Sequence, residues 1–260
     1  MLHYEISGNG KKPLVLLHGF MEDHTIWSDM ESHFSKEFTL IKIDLSGHGK
    51  SENNNAVNSM DFMAEKVKEV IEKLNLNKIN ILGHSMGGYV SLAFAEKFPE
   101  FIESLTLFFS TTLADDEEKK QIRRRSIAVI DENFETFVNT SIPNLFSNNE
   151  KDILEGKIEL AKKIAKSTNK EGVKAAQLGM AERPDRTEIL EKLEAKILII
   201  AGKYDNAVKT ENLLKALPDK TNIKTYVLDC GHCGHWEKPT ICAEIINTEL
   251  LHNLPKKLVF

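Results

Sequence analysis

The sequence predicts an α/β fold: a mostly parallel sheet with helices on both faces and one inserted helical segment. Three observations predict it. Short continuous apolar runs alternate with longer amphipathic stretches through the first half of the chain, the alternation stops after Phe109, and it resumes near Lys196. Continuous apolar runs suit strands buried on both faces, and strands alternating with helices imply parallel connections. The expected organisation is a sheet domain made of residues 1–109 and 188–260, interrupted by a helical cap over residues 110–187.

Taken in order, Pro13 to Leu17 reads as a buried strand ending at His18-Gly19, and Thr39 to Ile43 as a second ending at Asp44 and the turn Ser46-Gly47-His48-Gly49. Ser59 to Leu74 carries Phe62, Met63, Val67, Val70, Ile71 and Leu74 at helical spacing, with Glu and Lys on the other face. Ile79 to Leu82 is a third strand, Gly88 to Phe98 a helix stopped by Pro99, and Ile102 to Phe109 a fourth strand. The inserted block opens on the charge run Ala114 to Arg125. It continues with helical stretches around Phe134, Phe137 and Val138, then Ile153 to Ile164, then Val173 to Met180. Afterwards come strand Lys196 to Ala201, helix Glu211 to Leu217, strand Ile223 to Leu228 and helix Thr240 to Leu251.

The chain has 260 residues, 41% of them hydrophobic, which suffices for one large core. Its formal net charge of -5 gives no overall attraction for phosphate backbones or anionic lipid, which argues against a nucleic-acid partner. No apolar run is long enough to span a bilayer. Met1 to Gly10 lacks the pattern of a targeting segment, and the three cysteines, Cys230, Cys233 and Cys242, do not make a disulfide framework. The expected setting is cytoplasmic and reducing. Oligomeric state is not legible.

The chemistry is concentrated at Gly83-His84-Ser85-Met86-Gly87, which lies between a clear strand and a clear helix. A sharp strand-to-helix turn presents the middle side chain at the top of a sheet, and flanking glycines avoid collisions a Cβ would make. The following helix also aims backbone N–H groups at the reaction centre. A serine needs a base and an orienting acid. Asp205 lies just past the strand Lys196 to Ala201 and His232 just past the last strand, the ends at which parallel sheets build their sites.

These pieces, HGF at His18 to Phe20, DLSGHGKS at Asp44 to Ser51, LGHSMGG at Leu82 to Gly88, AGKYD at Ala201 to Asp205 and GHCGHWEKP at Gly231 to Pro239, resemble the α/β-hydrolase superfamily in its cap-bearing, esterase-like branch. The resemblance implies a triad of Ser85, Asp205 and His232, with the backbone N–H groups of Phe20 and Met86 forming an oxyanion hole. It implies no metal and no organic cofactor. Ser46 departs from the proline usual in that turn, and nothing specific carries over to the insertion.

Rivals exist for each role. His84 is expected to pack under the turn, His235 to be a hydrogen-bonded loop histidine, and His18 and His48 to organise backbone. Asp229 is the rival acid, too near His232 in sequence to orient its ring. Cys230-x-x-Cys233 with His232 and His235 is too crowded for a usual zinc set. Arg123-Arg124-Arg125 reads as a solvated helix face beside Asp115 to Glu118. Arg183 either complements a helix C-terminus before Pro184 or contacts a substrate carboxylate.

The apolar residues of the insertion, Leu113, Phe134, Phe137, Leu145, Phe146 and Met180, suit a lid over an acyl or alkyl group. The expected activity is therefore serine hydrolysis of a small to medium, largely apolar ester. The alternatives are carbon–carbon bond hydrolysis or menaquinone-pathway-type lyase chemistry on a carboxylate-bearing substrate, and a small-ligand receptor on the same fold.

Overall fold

The computed structural model describes residues 1–149 and 151–251. Elements follow in chain order: β1 (Tyr4–Ser7), β2 (Lys12–Leu17), a 3-10 turn (His24–Trp27), α1 (Ser28–Glu31), β3 (Phe38–Ile43), α2 (Met60–Lys73), β4 (Ile79–His84), α3 (Met86–Lys97) and β5 (Ile102–Phe108). Next come α4 (Glu117–Ser141), α5 (Glu155–Ser167), α6 (Lys170–Glu182), α7 (Thr187–Lys192), β6 (Lys196–Gly202), α8 (Thr210–Ala216), β7 (Ile223–Leu228), α9 (Gly234–Glu237) and α10 (Pro239–Leu251). The strands form one sheet in the order β1-β3-β2-β4-β5-β6-β7. Every pairing is parallel except β1 with β3. The predicted α/β class and its mostly parallel sheet are what the chain adopts.

The apolar runs work because alternate residues serve opposite faces. Val15, Leu17, Ile81, Leu105, Ile197 and Ile199 pack with Met63, Val67, Val90 and Phe94 of α2 and α3 on one side. Leu14, Leu16, Leu82, Leu198 and Ile200 pack on the other side with Trp27, Met30, Ala243 and Ile246. That second cluster continues into Ile130, Val138, Phe146, Ile158 and Ile164 of the chain between β5 and β6. The inserted helices are thus packed on the sheet layer through their own apolar side chains. Phe146 stacks on Trp236 of α9, with ring centroids 5.9 Å apart.

Four local differences from the sequence reading have physical causes. β1 is an antiparallel edge strand too short and too exposed to show a buried run. β5 stops at Phe108, because Phe109 takes φ 49°. α3 begins at Met86, two residues before the predicted start, with Gly87 and Gly88 inside it; neighbouring atoms would sit 2.3 Å from a Cβ at either glycine. α4 starts inside the charge run, capped by Asp116 on the Lys119 amide, and breaks at Asn133, where φ is -155°. Asn133 then caps the second half through Thr136 N–H. Among the described residues no helix is long and apolar enough to cross a membrane.

Candidate active site

β4 and α3 meet at Ser85, which adopts φ 49° and ψ -113°. Non-glycine residues rarely hold such a backbone, and it persists only where surroundings impose it. Here Ser85 N–H donates to Phe108 O at 3.1 Å, and Ser110 Oγ donates to Ser85 O at 2.7 Å. A Cβ at Gly83 would lie 2.2 Å from Gly87 O, and one at Gly87 would lie 2.3 Å from Leu17 O, so the turn closes only with both glycines. Met86 opens α3, where its N–H has no partner four residues back. Phe20 sits on the loop after β2, followed by Met21 at φ 58°.

Asp205 lies past β6 and His232 past β7, and they meet: His232 Nδ1 and Asp205 Oδ2 are 2.7 Å apart. The other carboxylate oxygen, Oδ1, accepts the N–H groups of Ala207 and Val208, each at 2.8 Å, so the acid cannot rotate freely. Both side chains are almost fully buried. The imidazole is therefore oriented by a fixed carboxylate, which leaves Nε2 as its other working atom. Asp229 is exposed and pairs with Lys203 at 3.1 Å, away from the imidazole.

Ser85, His232, Phe20 and His84 all line one cavity of about 640 Å³. Its opposite wall comes from the inserted segment: Leu113, Ile122, Phe137, Leu145 and Met180, with Asp115, Arg123, Gln177 and Arg183 between them. Arg183 borders the cavity with its guanidinium already engaged. Nη1 donates to Met180 O at 2.7 Å, and Nη2 donates to Leu113 O at 3.1 Å and Asp115 Oδ1 at 2.8 Å. Its plane also lies 4.0 Å from the Tyr89 ring centroid. Asp115 takes Arg123 as well, and Arg123 reaches Gln177 Oε1 at 3.1 Å. Arg123 thus departs from the solvated face expected of the arginine run, because a buried carboxylate draws it inward; Arg124 and Arg125 are exposed. Burial alone would raise the Asp115 carboxyl, but the hydrogen bond from Arg183 and the charge of Arg123 hold it at about 2.

The family described as the alpha/beta hydrolase fold matches residues 12–239. The chain belongs to this family. A thermophilic esterase from Thermogutta terrifontis, in a malate-bound structure, is similar to this α/β hydrolase with TM-score 0.90 and 32% identity, over 96% of this chain and 93% of that one. The enol-lactonase from Burkholderia xenovorans LB400 shares the fold with TM-score 0.87 at 21% identity, over 96% of each chain. By sequence, a 2-hydroxy-6-oxononadienedioate/2-hydroxy-6-oxononatrienedioate hydrolase of Escherichia coli (strain K12) is 27% identical over 249 residues, 91% of this chain and 86% of its own length.

The remaining histidines of this α/β hydrolase have structural partners. His18 Nε2 accepts Leu45 N–H at 2.9 Å, so its Nδ1 carries the proton toward Gly19 O at 2.7 Å. Burial lowers His48 to about 3, leaving it neutral beside Ser46 O. His235, expected to be hydrogen-bonded, is instead fully buried with no hydrogen bond at either ring nitrogen, its Nε2 lying 3.8 Å from Glu22 Oε1. Burial pushes all three thiols upward, Cys242 to about 12, so Cys230, Cys233 and Cys242 are protonated, packed side chains. Two groups among the described residues bring metal-capable atoms within 4.8 Å of one another: His3, Glu5 and His24, and Glu22, His84 and His235. In both, close contacts already join members of the group: His24 Nε2 lies 3.0 Å from Glu5 Oε1, and His84 Nδ1 lies 2.8 Å from Glu22 Oε2.

Two functional-site carboxylates escaped the sequence reading. Glu237 is buried and brackets the imidazole's own loop: Oε2 accepts Gly231 N–H at 2.9 Å and Oε1 accepts Cys233 N–H at 3.2 Å. Its place in GHCGHWEKP was the available signal. Glu22, between the Phe20 loop and His84, had no comparable signal, because a glutamate in a loop reads as solvent-facing.

Proposed function

We propose that this α/β hydrolase is a serine carboxylesterase acting on small to medium, largely apolar acyl esters. The observation that carries the reading is a buried, carboxylate-anchored imidazole sharing one cavity with a serine held at φ 49°. In the proposed cycle Ser85 Oγ attacks the ester carbonyl while His232 Nε2 takes the Oγ proton. The oxyanion forms between the N–H groups of Phe20 and Met86. The C–O bond to the alcohol then breaks, and His232 returns the proton to the leaving oxygen. Water, deprotonated by the same nitrogen, attacks the acyl-enzyme and releases the acid. Asp205 holds the ring through Nδ1 and stabilises the imidazolium.

The inserted helices act in this reading as a cap. Leu113, Ile122, Phe137 and Met180 give the acyl chain an apolar wall, and the esterase relative at 32% identity supports hydrolysis of an ester. The Escherichia coli relative supports a second reading, hydrolysis of a carbon–carbon bond in a carboxylate-bearing substrate. That chemistry needs a cation turned toward the ligand, whereas Arg183 is bound to Met180, Leu113 and Asp115.

The test is a panel of p-nitrophenyl esters with graded acyl chains, run beside Ser85→Ala and a fluorophosphonate label mapped by mass spectrometry. Turnover with the label on Ser85 is expected, and both are absent in the variant. Label on another residue, or ligand binding without turnover, overturns the reading.

A further inference from the structure

His84 immediately precedes Ser85 and is 1% exposed. Its Nδ1 lies 2.8 Å from Glu22 Oε2, and its Nε2 lies 3.0 Å from the backbone oxygen of His232. A carbonyl oxygen and an ionised carboxylate can only accept. A neutral imidazole carries one N–H, so it would turn a lone pair at one of these oxygens. The imidazolium satisfies both. The bond that the same Oε2 accepts from Gly19 N–H at 2.6 Å favours the ionised carboxylate, which leaves the proton on His84. The pair lies directly against Gly19, where a Cβ would fall 2.7 Å from Glu22 Oε2 and 2.8 Å from His84 Nδ1.

Three segments of the proposed site therefore meet at one buried charge pair. Glu22 holds the amide of Gly19, the neighbour of Phe20. His84 is covalently joined to Ser85. Its Nε2–H holds the carbonyl of His232. We propose that the Glu22–His84 ion pair is the positioning element of this site: it sets the oxyanion loop and the base loop relative to the nucleophile, and it does so only while His84 is protonated. The inference rests on the serine-hydrolase reading above.

The groups that face His84 agree with this charge state. Glu22 comes from the loop after β2, and Asp205 stands beyond β6. The His232 ring lies 5.0 Å away and the His235 ring 4.6 Å away, centroid to centroid. His235 is kept neutral, since burial drives its pKa well below the usual histidine value. Phe108 and Phe109 fill the remaining side. Burial alone would lower His84, but the Glu22 charge and hydrogen bond raise it above 6.5; the same contact holds Glu22 at about 2 against its own burial.

Glu22→Gln keeps the size and removes the charge. The expected result is a kcat reduced roughly 10- to 100-fold with KM little changed, as a displacement of about 1 Å at a reacting group produces. The alkaline fall of kcat moves to lower pH as well, because His84 then loses its proton more readily. Glu22→Asp keeps the charge and recovers part of kcat and of the alkaline limb. A direct reading needs no variant: long-range proton–nitrogen NMR of the wild-type protein near pH 7.5 is expected to show protons on both ring nitrogens of His84. A neutral His84 ring in that spectrum overturns the proposal, as does Glu22→Gln with wild-type kcat and pH limbs. The spectrum also decides if Glu22→Gln does not fold. The two failures separate: absence of label on wild-type Ser85 defeats the serine-hydrolase reading and leaves the protonation of His84 measurable.

Discussion

At Ser85 the backbone stores about 1–3 kcal/mol of strain, the usual cost of a left-handed non-glycine residue. The surrounding contacts must outweigh it, and they do so at particular atoms. The sharpest is Gly83, whose missing Cβ leaves room for Gly87 O. Gly83→Ala would need the backbone of α3 to move, so a loss of more than about 3 kcal/mol is expected. A urea unfolding midpoint close to wild type would show that the turn can relax instead. Glu237 presents a different residue-scale case. Its two oxygens take the amides on either side of His232 and also Ser147 N–H at 3.1 Å. Glu237→Gln turns an NH2 group toward at least one of these donors. The expected outcome is a fall in kcat of about 10-fold or more through a displaced imidazole, read by steady-state kinetics on a short ester.

Among the elements, α6 is joined to the stretch after β5 by an arginine and an aspartate, both nearly inaccessible. Removing one member of a buried pair is strongly destabilising because the other charge stays behind. Arg123 remains on Asp115 in Arg183→Ala, which moderates the loss to about 2–3 kcal/mol. Turnover of esters at temperatures well below the melt is expected to persist. A selective loss on carboxylate-bearing substrates would instead make Arg183 a ligand contact. The pH dependence follows from Asp115. Its folded pKa of about 2 lies below the unfolded carboxylate value of about 3.9, so its stabilising contribution is complete above pH 4 and disappears as pH falls toward 2. Thermal melts from pH 5 to 2 should fall less steeply in Asp115→Asn than in wild type.

The same scale shows what the sequence could and could not reveal. β2, β4, β5 and β6 are legible because a strand covered on both faces must be apolar at consecutive positions. β1 escapes because Tyr4-Glu5-Ile6-Ser7 is a partly exposed edge with no such run. Asp205 and His232 are legible as residues just beyond strand ends, where topology does the work of bringing them together. Glu22, Glu237 and the inward turn of Arg123 are not, because spacing shows neither which nearby amide or carboxylate each will meet nor the distant contacts to His84, Ser147 and Gln177 that complete them. Spacing carries information about local periodicity, and none about which loop amide a carboxylate will find.

For the molecule as a whole, the question is whether the inserted helices close over the site as a moving lid or stand as a fixed wall. Their hydrogen bonds favour the wall. Leu145 O accepts the His232 N–H at 2.7 Å, Ser147 N–H donates to Glu237, Lys119 Nζ reaches Ala207 O at 3.0 Å and Asn206 Nδ2 reaches Asn144 O at 3.1 Å. These bonds end on the loops that carry Asp205 and His232, so lifting the segment would disturb the imidazole along with the cavity. A pure lid, once removed, leaves kcat on the smallest ester intact and changes only which acyl chains are preferred. Replacing residues 117–182 with a short linker therefore separates the two cases. With a fixed wall, the preference among acyl lengths flattens, and kcat for the shortest ester also falls because the His232 amide loses its acceptor. The measurement is kcat and KM across the graded esters for a variant whose far-ultraviolet dichroism still shows the sheet domain. Unchanged kcat on the shortest ester would return the segment to the role of a simple cover, and an unchanged chain-length profile would remove it from substrate choice altogether.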